Sequence, residues 1–183
     1  MDALAANAGH GLGHAFLDQD IDEALHVINT NVVGTTHLVW HVGRSMRERG
    51  RGRILITSSI ASQMPGSFQA VYNASKSYDQ SFALAIRNEL KDTGVTVTAL
   101  LPGATDTEFF DRADATDTKL GASDSKDDPA LVARQGFEGL MKGEASVFAG
   151  SVTSKLMGKL SAVLPDSIAG ASHKPMTRPG SAG

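Results

Sequence analysis

The chain has 183 residues, 41% of them hydrophobic, with 17 Lys and Arg against 20 Asp and Glu, which is enough for one domain with a buried core. It contains no cysteine, excluding disulfides, a thiol nucleophile and a thiolate metal site, and its net charge of -3 gives no general attraction to nucleic acid or an anionic membrane. The opening MDALAANAGHGLGHAF lacks the basic and apolar regions of a secretion signal, and no window approaches the roughly 18 apolar residues of a membrane span, so a cytoplasmic protein is expected.

Residues 1–6 are apolar and run into Asn7-Ala8-Gly9, which reads as a strand entering a tight glycine turn. The following Gly9-His10-Gly11-Leu12-Gly13 imitates a dinucleotide fingerprint, but His14 stands where G-x-G-x-x-G needs its last glycine. No second strand ending in an acid follows either, because position 29 onward reads as helix. Gly11 and Gly13 are therefore expected to give loop flexibility near a substrate mouth. His10 and His14 are four apart, as are His37 and His41. Neither pair has a third ligand, and both are expected to be structural or surface histidines, with His10 also a candidate for touching substrate.

From Ile21 to Met46 apolar residues recur at helical spacing, which predicts a long helix bent at Gly34. Asn31 sits mid-helix, where an amide competes for backbone hydrogen bonds. The arginines of Arg44–Arg53 read as a helix C-terminus, with Gly50 and Gly52 as its left-handed stop. No aromatic residue interleaves them, which argues against a nucleic-acid patch.

The stretch Ile54–Lys76 organises the chain. It predicts a buried strand, a loop with Ser58 and Ser59, then a helix presenting Tyr72 and Lys76 one turn apart on one face. A neighbouring ammonium favours a phenolate, so Lys76 is expected to bring the Tyr72 phenol from about 10 toward neutral pH, where it can give and take a proton. Ser59, at a strand end, could hydrogen-bond the oxygen that Tyr72 protonates.

That helix is expected to reach Thr93 and stop at Gly94, and Val95–Leu101 to form a β-branched strand ending at Pro102-Gly103. Residues 106–128 are polar and acidic, and read as a mobile loop. Asp128-Pro129 starts a helix to about Met141, 145–149 reads as a short strand, and 155–164 as a weakly amphipathic helix before a Gly, Pro and Ser-rich tail expected to be disordered at its end. The alternation of strand and helix predicts an α/β fold with a parallel sheet and right-handed crossovers.

The order Asn7-Ala8-Gly9, Asn31 in INTNVVG, Ser59, Tyr72-x-x-x-Lys76 and Pro102-Gly103 resembles the short-chain dehydrogenase/reductase family over about residues 1–150. The resemblance implies a Rossmann-like sheet flanked by helices and hydride transfer between NAD or NADP and an alcohol or carbonyl substrate. Tyr72 would be acid/base, Lys76 would lower its pKa and hold the nicotinamide ribose, Ser59 would polarise the substrate oxygen, and Asn31 would hold a relay water through a local irregularity in its helix. An amide satisfying buried backbone is the other reading of Asn31. The turn Asn7, Ala8 and Gly9 would line the cofactor cleft, with Ala6 departing from the family's N-N-A-G. Pro102, Gly103, Thr105 and Thr107 match the loop that holds the nicotinamide carboxamide, turn capping being the other reading of the threonines.

The family's T-G-x-x-x-G-x-G turn and first three strands are not found in this sequence, so a truncated fold is expected, 1–150 as a partial catalytic domain and 151–183 as a C-terminal helix and flexible tail. The strand near Met1 would then be an exposed edge. A late-placed start codon, a real truncated product and a half-domain completed by a partner all remain open, the first favoured. A homo-oligomer, dimer or tetramer, is implied under either functional reading: an active oxidoreductase, or a catalytically silent fragment acting through self-association or a partner.

Overall fold

Four short apolar runs become strands: β1 (Ala3–Ala6), β2 (Gly52–Thr57), β3 (Val95–Pro102) and β4 (Ser146–Ala149). In the computed structural model, which describes residues 1–182, they form one sheet in the order β1-β2-β3-β4 with every pair parallel. Parallel neighbours need crossovers, and helices provide them. Between β1 and β2 run α1 (Ile21–Ile28) and α2 (Thr35–Glu48), between β2 and β3 runs α3 (Ala70–Glu89), and between β3 and β4 run α4 (Phe109–Arg112) and α5 (Pro129–Lys142). Two further helices, α6 (Val152–Ser161) and α7 (Asp166–Thr177), close the chain.

Successive strand residues point to opposite faces, and the core divides accordingly. Ile54 and Ile56 of β2 pack with Val39, Met46, Ala83 and Val97 on one face, while Leu55 joins Leu100, Val132, Leu140 and Val147 on the other. Both faces of the central strands are thus covered, as a parallel sheet requires. β1 lies at the edge, paired with β2 alone, with Ala3 and Ala5 exposed. Because every strand runs the same way, the carboxyl ends of β1, β2 and β3 open along one rim of the sheet, where open α/β sheets bind ligands.

The expected long helix is present but is not one regular helix. Asn29–Gly34 forms a π-helical turn between α1 and α2, so the irregularity centres on Asn31 rather than being a bend at Gly34. Of the two glycines expected to stop α2, Gly50 takes the left-handed conformation (φ 69°). Gly52 instead begins β2 against the Met46 side chain, which leaves no room for a Cβ there.

The 106–128 segment, read from its polar sequence as a mobile loop, carries α4 and an apolar cluster of Phe110, Ala113 and Ala115 packed with Phe109 and Leu120. Residues 171–177, the start of the Gly, Pro and Ser-rich tail, belong to α7. Thr177 Oγ1 donates to Ser67 O at 2.9 Å, and Leu120 N donates to Met176 O at 3.0 Å, so α7 is fastened to the loop before α3 and to the 106–128 segment. Among the described residues no helix is long and apolar enough to cross a membrane.

Candidate active site

The site is assembled from the strand ends outward. Ser58 Oγ donates to Lys76 O at 2.7 Å, which ties the end of β2 to the middle of α3. Ser59 caps the 3-10 turn Ile60–Gln63, its Oγ accepting from Ala61 N at 3.1 Å. Buried Asn73 then holds that turn, its amide donating to Ala61 O and Met64 O. Tyr72, Lys76 and Asp79 follow one another along one face of α3, at spacings of four and three residues.

Lys76 is 4% exposed. Its Nζ donates to Thr57 O at 2.8 Å and to Asp79 Oδ2 at 3.0 Å, and Asp79 is 1% exposed. Gly9, in the turn after β1, faces the same ammonium: a Cβ there would stand 3.2 Å from Nζ. Asn31 is fully buried in the π-helical turn. Its Oδ1 accepts from His10 N at 2.8 Å, and its Nδ2 donates to His10 O at 2.9 Å and to Ser75 Oγ at 2.8 Å. It therefore clamps the glycine turn onto α3, with both amide hydrogens committed.

These groups surround one cavity of about 950 Å³. Of the residues expected from the sequence, Asn7, Gly9, Ser59, Tyr72 and Lys76 line it, together with Pro102, Gly103, Thr105 and Thr107 at the end of β3. Asn31 stands behind this wall, and Ala8 is exposed outside it. Both threonine hydroxyls serve local turns here: Thr105 Oγ1 donates to Gly103 O, and Thr107 Oγ1 accepts from Phe109 N. His10 lines the cavity, while His14 pairs with Asp114 and His37 meets His41 on an exposed helix face. Among the described residues no group of three His, Cys, Asp or Glu stands ready for a metal.

The electrostatics differ from the expectation at Tyr72. Burial pushes its phenol up to about 12, against a downward pull from the Ser59 hydroxyl, with the Asp79 carboxylate adding a smaller upward push. Desolvation of the phenolate overrides the anticipated drop toward neutrality, and Lys76, the expected source of that drop, is paired with Asp79. Burial also lowers His10 and His173 from 6.5, favouring their neutral forms.

Sequence reasoning missed three contributors. Asp79 had a signal, its i, i+3 spacing from Lys76. Phe109, whose ring centroid lies 5.0 Å from that of Tyr72, and His173 of α7 had none, because long-range folding brings them to the cavity. Much of the remaining wall is apolar, including Met64, Phe110, Val132, Met157 and Met176, and its charged Glu108 and Arg112 pair with each other.

Comparison with known proteins gives the same outline. A family model described as short chain dehydrogenase matches residues 1–118. The ketoacyl reductase HetN of Nostoc sp. is 35% identical over 103 residues, 56% of this chain and 36% of that protein. The acetoacetyl-CoA reductase of Shinella zoogloeoides is 38% identical over 109 residues, 60% of this chain and 45% of that one. The chain thus spans less than half the length of these two curated relatives. A solved short-chain dehydrogenase from Sphingobium yanoikuyae in complex with NADPH aligns with a TM-score of 0.75 and 23% identity, covering 81% of this chain and 57% of that one. At that identity the likeness is one of fold.

Proposed function

The chain belongs to the short-chain dehydrogenase family, and from that premise we propose that it works as an NAD(P)-dependent oxidoreductase on an alcohol or carbonyl substrate, with Tyr72 as the acid/base. The observation that carries this reading is the single cavity on which Ser59, Tyr72, Lys76 and the turns after β1 and β3 converge.

The residues present fit the nicotinamide end of such a cofactor. Glycine at position 9 keeps the Lys76 ammonium open to a ribose hydroxyl, because a Cβ there would crowd Nζ at 3.2 Å. Asn7, Pro102, Gly103, Thr105 and Thr107 would border the nicotinamide. No glycine turn suited to a pyrophosphate occurs among the described residues, so the contact set favours the nicotinamide half. When bound, the nicotinamide supplies or accepts the hydride.

The protein's part is proton transfer, orientation and exclusion of water. In reduction Tyr72 Oη gives its proton to the carbonyl oxygen, and in oxidation it takes the proton from the hydroxyl. Ser59 Oγ donates a hydrogen bond to that same oxygen and fixes its distance from Tyr72. Asn31 locks the His10 backbone to α3 and is the proposed holder of a relay water. The apolar wall of Met64, Phe109, Met157 and Met176, with Glu108 and Arg112 neutralising each other, suits an uncharged apolar ketone or alcohol better than an anionic one.

The test is Tyr72→Phe. Consumption of NADH or NADPH with a neutral apolar ketone should fall by about 10²–10⁴-fold, the span typical of a lost acid/base, while circular dichroism stays unchanged. Equal rates in the two proteins would reject Tyr72 as the acid/base.

A further inference from the structure

Behind the cavity wall, against Lys76, lies one charged side chain that the proposed chemistry does not use. Asp79 lies one turn beyond Lys76 on α3, 1% exposed. Its Oδ2 accepts from Lys76 Nζ at 3.0 Å, and its Oδ1 is buried without a hydrogen-bond partner. A carboxylate kept for architecture alone would have both oxygens satisfied by backbone amides or hydroxyls. Here its one side-chain partner is the ammonium beside the acid/base tyrosine.

No other charge competes for the pair. Among the elements packed against α3, β3 and the 3-10 turn Ile60–Gln63 carry no charged residue, β2 carries Arg53 at its far end, and α1 places Glu23 and His26 against His10. The other titratable groups on the cavity wall are His10, Glu108, Arg112 and His173, and Glu108 is already paired with Arg112.

We propose that Asp79 is a positioning residue for the Tyr72 centre: its carboxylate holds the Lys76 ammonium against Thr57 O and cancels its charge, so that Tyr72 does not stand beside a net cation. The proposal rests on the reading of Tyr72 as acid/base. With the lysine charge cancelled, Tyr72 stays protonated through neutral pH, the form that gives a proton to a carbonyl oxygen.

The experiment is a spectrophotometric titration of the phenol without cofactor or substrate. The chain has two tyrosines, and Tyr78→Phe leaves Tyr72 as the single one. In that background Asp79→Asn keeps the shape and an oxygen for Lys76 while removing the charge. The Tyr72 midpoint should then fall by about 1–3 pH units, the size of an opposite-charge effect at short range. An unchanged midpoint in a folded Asp79→Asn chain overturns the proposal. Carbon NMR of the unmutated chain is a second measurement that needs no variant: an ionised Asp79 carboxyl at neutral pH is required, and a protonated one overturns the proposal because it has no charge to cancel. Neither readout depends on turnover. Loss of activity in Tyr72→Phe together with an unmoved titration would reject the role of Asp79 and leave the functional reading in place.

Discussion

Lys76 and Asp79 are both almost wholly buried, and each depends on the other for its charge. Removing one partner of a buried pair strands the other, at a cost of about 3–5 kcal/mol. Asp79→Ala should therefore lower unfolding stability by about that much in a urea titration, and Asp79→Asn by less, because an amide oxygen still accepts from Nζ. Equal stabilities for Asp79→Ala and the parent would show that Lys76 is satisfied without its partner. At this scale the sequence was informative where a relation is local. Tyr72 and Lys76 are legible as an i, i+4 pair on one helix face, and Asp79 could have been read in the same way. The sign of the effect on Tyr72 was not legible, because it depends on desolvation and on which carboxylate the lysine meets, and both come from tertiary packing.

Among the elements, the strands and α1, α2, α3 and α5 follow from periodicity and caps: Asp20 and Asp128 cap α1 and α5 through their side chains, as an acid before a helical pattern announces. α7 escaped notice because Pro175 lies within it and its sequence is short and small-residued, so its helix depends on docking rather than on propensity. His173 faces the cavity from α7, and burial lowers it from 6.5. Its neutral form is thus favoured on folding, and the sign follows: its contribution to stability is complete above 6.5 and is lost as pH falls through the depressed folded value. The melting temperature should drop as pH is lowered through this window, and His173→Gln should drop less than the parent. Parallel curves for the two proteins would remove His173 as the source.

For the whole molecule, the family motifs are spread from Asn7 to Gly103, and their common destination at one rim of the sheet was legible because parallel strands place all carboxyl ends together. The cavity's size and apolar wall were not, since Phe109, Met157 and Met176 arrive from segments with no motif. α1, the π-helical turn and α2 leave Leu25, Val33 and Trp40 exposed at 46%, 53% and 53%. Apolar surface of this extent favours association, so sedimentation velocity should find an oligomer that Trp40→Glu shifts toward the monomer, whereas a parent chain that is monomeric at high concentration would oppose this. The central claim is that this chain uses a nicotinamide cofactor in the Tyr72 cavity, and calorimetric titration of the folded chain with NADH, NADPH and reduced nicotinamide mononucleotide tests it most directly. The expected result is binding that Lys76→Met abolishes, with the mononucleotide retaining most of the affinity because the contacts proposed for the cavity are those to the nicotinamide half. A folded, monodisperse chain that binds none of the three would contradict the claim.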